Sequence, residues 1–189
     1  SDPLVTAIGG TSLCTDAEPG TPVDSVSGPA SCQQSPGQRE VTWNNSDPPP
    51  IPGLSIPIAT GGGFSHLFAQ PSFQAGVTGN AMRGVPDVAY NADPFTAIPI
   101  YLSSSGNQPG WYLAGGTSAG SPQWAGLIAI ASQLNGGPVG YINPALYKIG
   151  GSPARYANDF LDVPGGNNPV SPTHPGFHGG PGWAAGSGG

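Results

Sequence analysis

The feature that most constrains the fold is an apolar segment, residues 121–134, that follows a Gly-Gly pair. Ser121 suits the cap of a helix and Pro122 its first turn. The Asn-Gly-Gly run at residues 135–137 ends it. The segment's larger apolar side chains recur at helical spacing and predict one long buried helix. They are Trp124, Leu127, Ile128, Ala131 and Leu134.

Short apolar segments on both sides of this helix predict β-strands. The chain has 32 glycines and 24 prolines among 189 residues, a share that without a repeat is also typical of disorder. Regular spacing of the apolar segments favours a folded domain instead, and strands with one long helix indicate an α/β fold. The predicted strands are residues 4–8, 40–43, 87–90, 98–102 and 111–114, and short helices are expected near 65–68 and 144–149.

The charge of the chain excludes two classes of partner. Four Lys and Arg residues stand against ten Asp and Glu residues, too few cations for binding nucleic acid or an anionic membrane surface. No apolar run approaches the roughly 18 residues of a membrane span. Low charge suits an acidic medium, where carboxylates become neutral. We therefore expect a secreted protein, or a protein of an acidic lumenal compartment. We also expect the chain to be a processed piece of a longer polypeptide.

The two cysteines, Cys14 and Cys32, are separated by a loop rich in Gly, Pro and Ser. This arrangement predicts a disulfide that closes the loop, with two free thiols as the alternative. A disulfide places the protein outside the cytosol.

Ser118 lies between the Gly-Gly pair and the predicted helix. Unpaired N–H groups and the positive end of the helix dipole stabilise a developing oxyanion at such a place. Gly115 and Gly116 allow a substrate backbone to approach closely. Together with Thr117 they are candidate substrate-binding residues, and Ser118 is the candidate nucleophile. The alternative is a serine-rich turn that only caps a core helix.

Five segments carry a resemblance to a known family. The pattern GTSxxxPxxAG at residues 116–126 resembles the nucleophile segment of subtilisin-fold peptidases. Four further segments resemble the sedolisins, the serine-carboxyl peptidases, in the family's order. They are SDPLVTAIGGTSL (1–13), GGGFSHLFAQPSFQ (61–74), RGVPDVAYNADP (83–94) and the tail FLDVPGGNN with GGPGW (160–168, 179–183). Residues 1–189 are thus identified as the C-terminal portion of a single sedolisin-like catalytic domain.

The resemblance implies a subtilisin-like α/β fold, with a largely parallel sheet flanked by helices, and a peptidase active at acidic pH. Sedolisins use a Ser–Glu–Asp triad, which suits acid because a histidine is protonated near pH 4 while a carboxylate still accepts a proton. By matching position, Ser118 is the nucleophile, and its backbone N–H contributes to the oxyanion hole. Peptides or proteins are the implied substrates, and the choice between endopeptidase and tripeptidyl-peptidase stays open.

The family's ExxxD helix and GDSG motif, which carry the triad Glu and Asp and the oxyanion Asp, have no match in this chain. Neither Glu18 nor Glu40 has an Asp four residues on. We therefore expect an N-terminal chain of the same precursor to supply these carboxylates. The alternatives are an inactive fragment, a non-catalytic structural or binding module that keeps the sedolisin shell, and a subtilisin-type peptidase whose partner brings a histidine.

The tail, residues 158–189, resembles the family's calcium-binding region. The resemblance assigns one Ca2+ to the Asp162 carboxylate and to the carbonyl groups of Val163, Gly180 and Gly182. Ala184 stands where the family has a second Asp, so calcium binding is expected to be weakened. Asp159 is close enough in sequence to help, and an unmetallated glycine-rich loop is the alternative.

Three other sets of residues are explained without a catalytic or binding role. His66, His174 and His178 lack the surroundings of a catalytic base. Asp87 and Asp93 are expected to cap loops with their side chains. Residues 44–46 form a glycosylation sequon that chance also explains.

Overall fold

A three-stranded sheet lies at the centre of the fold. The computed structural model describes residues 2–14, 30–33, 35, 37–46, 58–103, 108–170, 173 and 175–188. Strand β1 (Ile8–Leu13) lies between β2 (Glu40–Thr42) and β5 (Val88–Asn91). It pairs parallel with β5 and antiparallel with β2. Within the described residues the sheet is therefore mixed, and the parallel pairing is the one between β1 and β5.

Two antiparallel pairs flank this sheet. Strand β3 (Gly63–Ala69) pairs with β4 (Met82–Val85), and β6 (Ile98–Leu102) pairs with β7 (Gly110–Ala114). The β6–β7 pair leads directly into the Gly-Gly turn before Ser118.

The helices are α1 (Ala30–Gln33), α2 (Thr117–Leu134), α3 (Asn143–Gly150) and α4 (Pro153–Asp159), with 3₁₀ turns at Ser72–Gln74 and Pro94–Thr96. Helix α2 packs on β1 and β5. The approach is close because Gly120 has no side chain: a Cβ there would lie 2.9 Å from the Cβ of Tyr90. No helix in the described ranges is both long and apolar enough to cross a bilayer.

The predicted α/β class is confirmed, and each predicted strand is present. The first strand, however, lies further along the chain than predicted. That strand begins at Ile8 and runs through Gly9 and Gly10, where the sequence pattern placed its end. The helix expected at 65–68 is wrong: these residues belong to β3, whose Phe64 packs against Phe177 and Trp183. Helix α4 was not predicted, because its seven residues carry little apolar periodicity.

The prediction of a buried helix is wrong for α2 within the described residues. The helix begins at Thr117, four residues earlier than expected, with Gly116 and not Ser121 at its cap. Gly120 is its buried residue. Leu127, Ile130 and Leu134 are exposed by 48, 56 and 84%. Helical spacing identified the helix correctly, but spacing alone does not say what covers each face.

Polar side chains fill much of the interior. The two largest fully buried side chains are Arg83 and Gln74. A small apolar cluster contains Val41 and the two cysteines, which form the predicted disulfide with an S–S distance of 2.03 Å. Because few charges and many amides and hydroxyls are buried, hydrogen bonds must satisfy this interior.

Glu40 in β2 gives the fold a pH dependence. Burial raises the pKa of its carboxyl group, and the hydrogen bond from the Thr11 hydroxyl lowers that pKa by less. The folded protein therefore holds this proton more tightly than the unfolded chain. The contribution of Glu40 to stability is complete below the carboxyl's ordinary pKa and is lost as pH rises through the folded pKa.

We predict that Glu40→Gln stabilises the intact protein at pH 7 relative to wild type, and that this advantage is smaller at pH 3.5. The neutral amide can keep the hydrogen bond from Thr11 without burying a charge. Urea unfolding at both pH values measures the effect, with the exposed Asp159→Asn as the control. An equal effect of Glu40→Gln at the two pH values would contradict the prediction.

Candidate active site

Ser118 is an exposed residue in the first turn of α2. Strand β7 ends at Ala114, Gly115 and Gly116 form the turn, and the helix begins at Thr117. The structure therefore brings together the four residues that the sequence singled out. They lie at the end of one strand and the start of one helix.

The two glycines are required for different reasons. Gly116 has a φ of 77°, a left-handed conformation that residues with side chains rarely adopt. Gly115 lies against Pro94, where a Cβ would come within 2.9 Å of the proline Cα. The close approach at Gly115 is thus made by the protein's own Pro94, where the sequence suggested a substrate backbone.

The helix start leaves backbone groups near Ser118 free of intrahelical partners. The first N–H groups of any α-helix lack an acceptor in the preceding turn, and Ser118 is the second helical residue. The Ala119 N–H donates to the Gly116 carbonyl oxygen at 2.9 Å. Pro122 has no N–H, so it cannot donate to the carbonyl of Ser118. The N–H groups of Thr117 and Ser118 have no acceptor among the described residues, and these two donors suit the stabilisation of negative charge next to the Ser118 hydroxyl. The Ser118 carbonyl does not contribute to it.

Beneath the Gly-Gly turn, three elements meet without space for a side chain. A Cβ on Gly10 would lie 2.8 Å from Ala92, 2.9 Å from the ring of Trp43 and 3.4 Å from Thr117. The Nε1–H of Trp43 is buried with no partner among the described residues. The structure below Ser118 is therefore closely packed, and nothing in the local sequence around Trp43 indicates that its ring belongs there.

Neither of the two histidines that the structure describes, His66 and His178, is hydrogen-bonded to Ser118. His66 lies on the exposed part of β3, and His178 is an exposed residue bridged to Asn167. His174 lies outside the described residues, as does Glu18. In the part of the chain that the structure describes, no hydrogen bond joins Ser118 to a carboxylate or an imidazole.

The sequon is not available for glycosylation. Asn44 is 2% exposed, and its side-chain amide donates to the Asn167 side chain and to the Pro169 carbonyl at 3.2 Å each. The hypothesis of a glycan at this position is therefore wrong for the folded chain.

Asp162 and Gly182, two of the implied calcium ligands, lie together in the tail. They are joined by a hydrogen bond from the Gly182 N–H to the Asp162 carboxylate. Asp162 Oδ1 accepts the Tyr156 hydroxyl at 2.9 Å and the Gly182 N–H at 3.0 Å. Ala184 offers no carboxylate and pairs its backbone with Gly188. Among the described residues, no group of three or more His, Cys, Asp or Glu side chains could hold a metal ion. Calcium takes six to eight oxygens, whereas the implied set offers one carboxylate, Asp162, whose Oδ1 already accepts two hydrogen bonds. These residues as placed therefore fit calcium weakly.

The same hydrogen bond affects Tyr156. Burial raises the pKa of its hydroxyl, and the neighbouring Asp162 raises it further. The raised pKa favours the protonated phenol, which is the form that donates to Asp162.

Known proteins share both the sequence and the fold. Kumamolisin from Bacillus sp. (strain MN-32) is 37% identical over 154 residues, which cover 77% of this chain and 24% of the relative. Sedolisin from Pseudomonas sp. (strain 101) is 30% identical over 184 residues, 97% of this chain and 26% of the relative. No family model matches the chain.

A solved structure of Pseudomonas sedolisin, a serine-carboxyl proteinase complexed with two molecules of pseudo-iodotyrostatin, superimposes with a TM-score of 0.74. The two sequences are 28% identical, and the match covers the whole of this chain and 43% of the sedolisin chain. The chain spans about a quarter of the length of the curated relatives it matches.

The match to sedolisin over the whole chain shows a subtilisin-like α/β fold. Within it, a helix with an exposed serine in its first turn follows a strand and a Gly-Gly turn. The chain belongs to the sedolisin family, and its partial coverage of the relatives fits a C-terminal part.

Proposed function

We propose that the intact protein is a serine-carboxyl endopeptidase that hydrolyses peptide bonds at acidic pH through an acyl-enzyme on Ser118. The observation that carries the proposal is the position of Ser118, exposed in the first turn of α2 directly after a glycine in left-handed conformation. In this mechanism the Ser118 Oγ attacks the substrate carbonyl, and the helix N-terminus stabilises the oxyanion. Gly115, Gly116 and Thr117 line the approach to the serine.

The proton acceptor comes from outside these 189 residues. We propose that an N-terminal chain of the same precursor supplies the triad Glu and Asp and the oxyanion Asp. The exposed apolar side chains of α2 support a partner: Leu127, Ile130 and Leu134 would otherwise face water. A cavity of about 490 Å3 beside Trp124 and Leu127 also offers room for further side chains.

The disulfide supports a site of action outside the cytosol, since such bonds persist in oxidising compartments. We propose that the protein is secreted or acts in an acidic lumenal compartment.

A labelling experiment tests the proposed function. The intact protein and its Ser118→Ala variant are titrated at pH 4 with a peptide aldehyde that carries a carbon-13 label on its carbonyl. The aldehyde adds reversibly to an active serine hydroxyl to form a hemiacetal, which NMR detects by the chemical shift of the labelled carbon and which the variant should lack. We expect an adduct on Ser118 only when the segment carrying the ExxxD and GDSG motifs is present. Labelling that is absent with that segment bound would contradict the peptidase proposal and favour a non-catalytic module. Labelling only at neutral pH would favour a subtilisin-type base.

We propose that calcium binds weakly to Asp162, Val163, Gly180 and Gly182. Ala184 removes one of the two carboxylates, and the Gly182 N–H occupies an oxygen of the remaining carboxylate, Asp162. We predict that 1 mM Ca2+ stabilises the intact wild-type protein by no more than about 0.4 kcal/mol, the value expected when the concentration equals Kd. Ala184→Asp should tighten binding at least tenfold, or about 1.4 kcal/mol. Calorimetric titration and thermal unfolding measure both effects.

The matched control for this prediction is Ala184→Asn, which adds similar bulk without charge and should leave calcium affinity near wild type. Stabilisation of the wild-type protein by more than about 2 kcal/mol at 1 mM Ca2+ would show a strong site and contradict the prediction.

A further inference from the structure

We infer that Asp93 is a positioning residue for Ser118. Its carboxylate fixes a turn, residues 92–94, on which the Gly-Gly turn before the serine rests. The inference rests on the proposed peptidase function, since it concerns the placement of that nucleophile. It assigns to Asp93 more than the loop cap that its sequence position suggested.

The Asp93 carboxylate joins three segments that are distant in sequence. The side chain is fully buried, with 0% exposure. Its Oδ2 accepts the Ser12 hydroxyl at 2.7 Å, and its Oδ1 accepts the Asn45 side-chain N–H at 2.8 Å and the Phe95 N–H at 2.9 Å. The Thr11 carbonyl oxygen accepts the Asp93 N–H at 3.2 Å. Buried donors on β1 and after β2 therefore hold this carboxylate in one place.

The turn that Asp93 fixes contacts the nucleophile turn directly. The Ala92 carbonyl oxygen accepts the N–H of Gly116 at 2.5 Å. Pro94 packs against Gly115, where even a Cβ would come within 2.9 Å of the proline Cα. Gly115 and Gly116 immediately precede the first turn of α2, so a shift of Ala92 or Pro94 is transmitted to Ser118 over two to three residues.

Asp87 provides a matched comparison, because it is also a buried carboxylate with several donors. It is 3% exposed and accepts hydrogen bonds from the Arg83, Asn143 and Tyr147 side chains. Those partners belong to β4 and α3, and the structure records no contact between them and the Gly-Gly turn. Losing either carboxylate costs stability, but only the loss of Asp93 should move Ser118.

The experiment measures kcat and KM for a peptide substrate at pH 4 in the intact protein, per folded molecule and well below the unfolding temperature. The variants are Asp93→Ala, Asp93→Asn, Ser12→Ala and Asp87→Asn. We expect Asp93→Ala to lower kcat by about 10- to 100-fold with KM within about threefold, since a shift of about 1 Å in a reacting group has effects of this size. Asp93→Asn should recover most of kcat, because its amide oxygen still accepts from Asn45 and Phe95.

Asp87→Asn should lower the unfolding midpoint and keep the wild-type kcat. Ser12→Ala removes a single donor and should lower kcat severalfold, which keeps the inference testable if Asp93→Ala does not fold. Wild-type kcat in folded Asp93→Ala or in Ser12→Ala, or an equal loss of kcat in Asp87→Asn, would overturn the positioning role. A wild-type protein that neither cleaves nor labels at Ser118 would instead overturn the proposed function.

Discussion

Replacing Asp87 by alanine is expected to destabilise the intact protein by about 3–5 kcal/mol, the size typical of removing one partner from a buried ion pair. Arg83 and Asp87 are both fully buried in their side chains, and Arg83 Nη2 lies 2.6 Å from Asp87 Oδ2. Without the carboxylate, the guanidinium charge stays buried and unpaired. Its Nε already lacks a partner among the described residues.

The carboxylate also orders neutral neighbours. Its oxygens accept the Ala7 N–H at 2.8 Å and the Tyr147 hydroxyl at 2.9 Å, which links the start of β1 to α3. Tyr147 in turn receives a hydrogen bond from Gln74, which pairs with both backbone groups of Gly84. Asp87→Ala therefore leaves several buried donors unsatisfied, each of which adds to the cost.

Urea or guanidinium unfolding measures this effect. Asp159→Ala is the matched control, since that carboxylate is exposed and, within the described ranges, accepts its one side-chain hydrogen bond from neighbouring Asn158. It should change stability by no more than about 0.5 kcal/mol. Replacing both members of the pair by apolar residues, Arg83→Met with Asp87→Leu, should cost less than Asp87→Ala alone. A loss below about 1 kcal/mol in Asp87→Ala would show that water or backbone movement satisfies the guanidinium.

The sequence predicted the parts of the fold that depend on local pattern. The β6–β7 strands and the helix that follows Ser118 come from apolar spacing and from Gly and Pro positions, which act over a few residues. The disulfide followed from the isolation of two cysteines around a loop. These signals need no knowledge of distant contacts.

Long-range contacts account for what the sequence missed. The strand at Gly63–Ala69 carries a mixed aromatic pattern, and its pairing with β4 and its packing on Phe177 and Trp183 decide its structure. Asp93 resembles an ordinary loop cap in sequence, since its donors on Ser12 and Asn45 lie 81 and 48 residues away. The sequence led us to expect loop caps at both Asp87 and Asp93, and Asp93 does accept the Phe95 N–H. It did not predict that both carboxylates are buried or which distant partners they meet.

Replacing Ser118 by alanine is expected to reduce kcat by about a million-fold in the intact protein, because no group replaces the attacking hydroxyl. Stability should change by less than about 0.5 kcal/mol, since the side chain is exposed. Ser121→Ala is the matched control: Ser121 lies one turn further along α2, and its hydroxyl donates to the Thr117 carbonyl at 3.1 Å. Cleavage of a peptide at pH 4 measures both variants.

The pH dependence of the same assay tests which base serves Ser118. A carboxylate base stays able to accept a proton down to about pH 4, whereas a histidine base loses this ability below about pH 6.5. We expect wild-type kcat/KM to persist between pH 4 and 5, and Ser118→Ala to be inactive across the whole range. Activity that rises only above pH 6 would indicate that the base is a histidine and not a carboxylate. Residual cleavage by Ser118→Ala above about one thousandth of the wild-type rate would show that the nucleophile lies elsewhere than on α2. The Gly-Gly turn and the helix N-terminus would then have a structural role only.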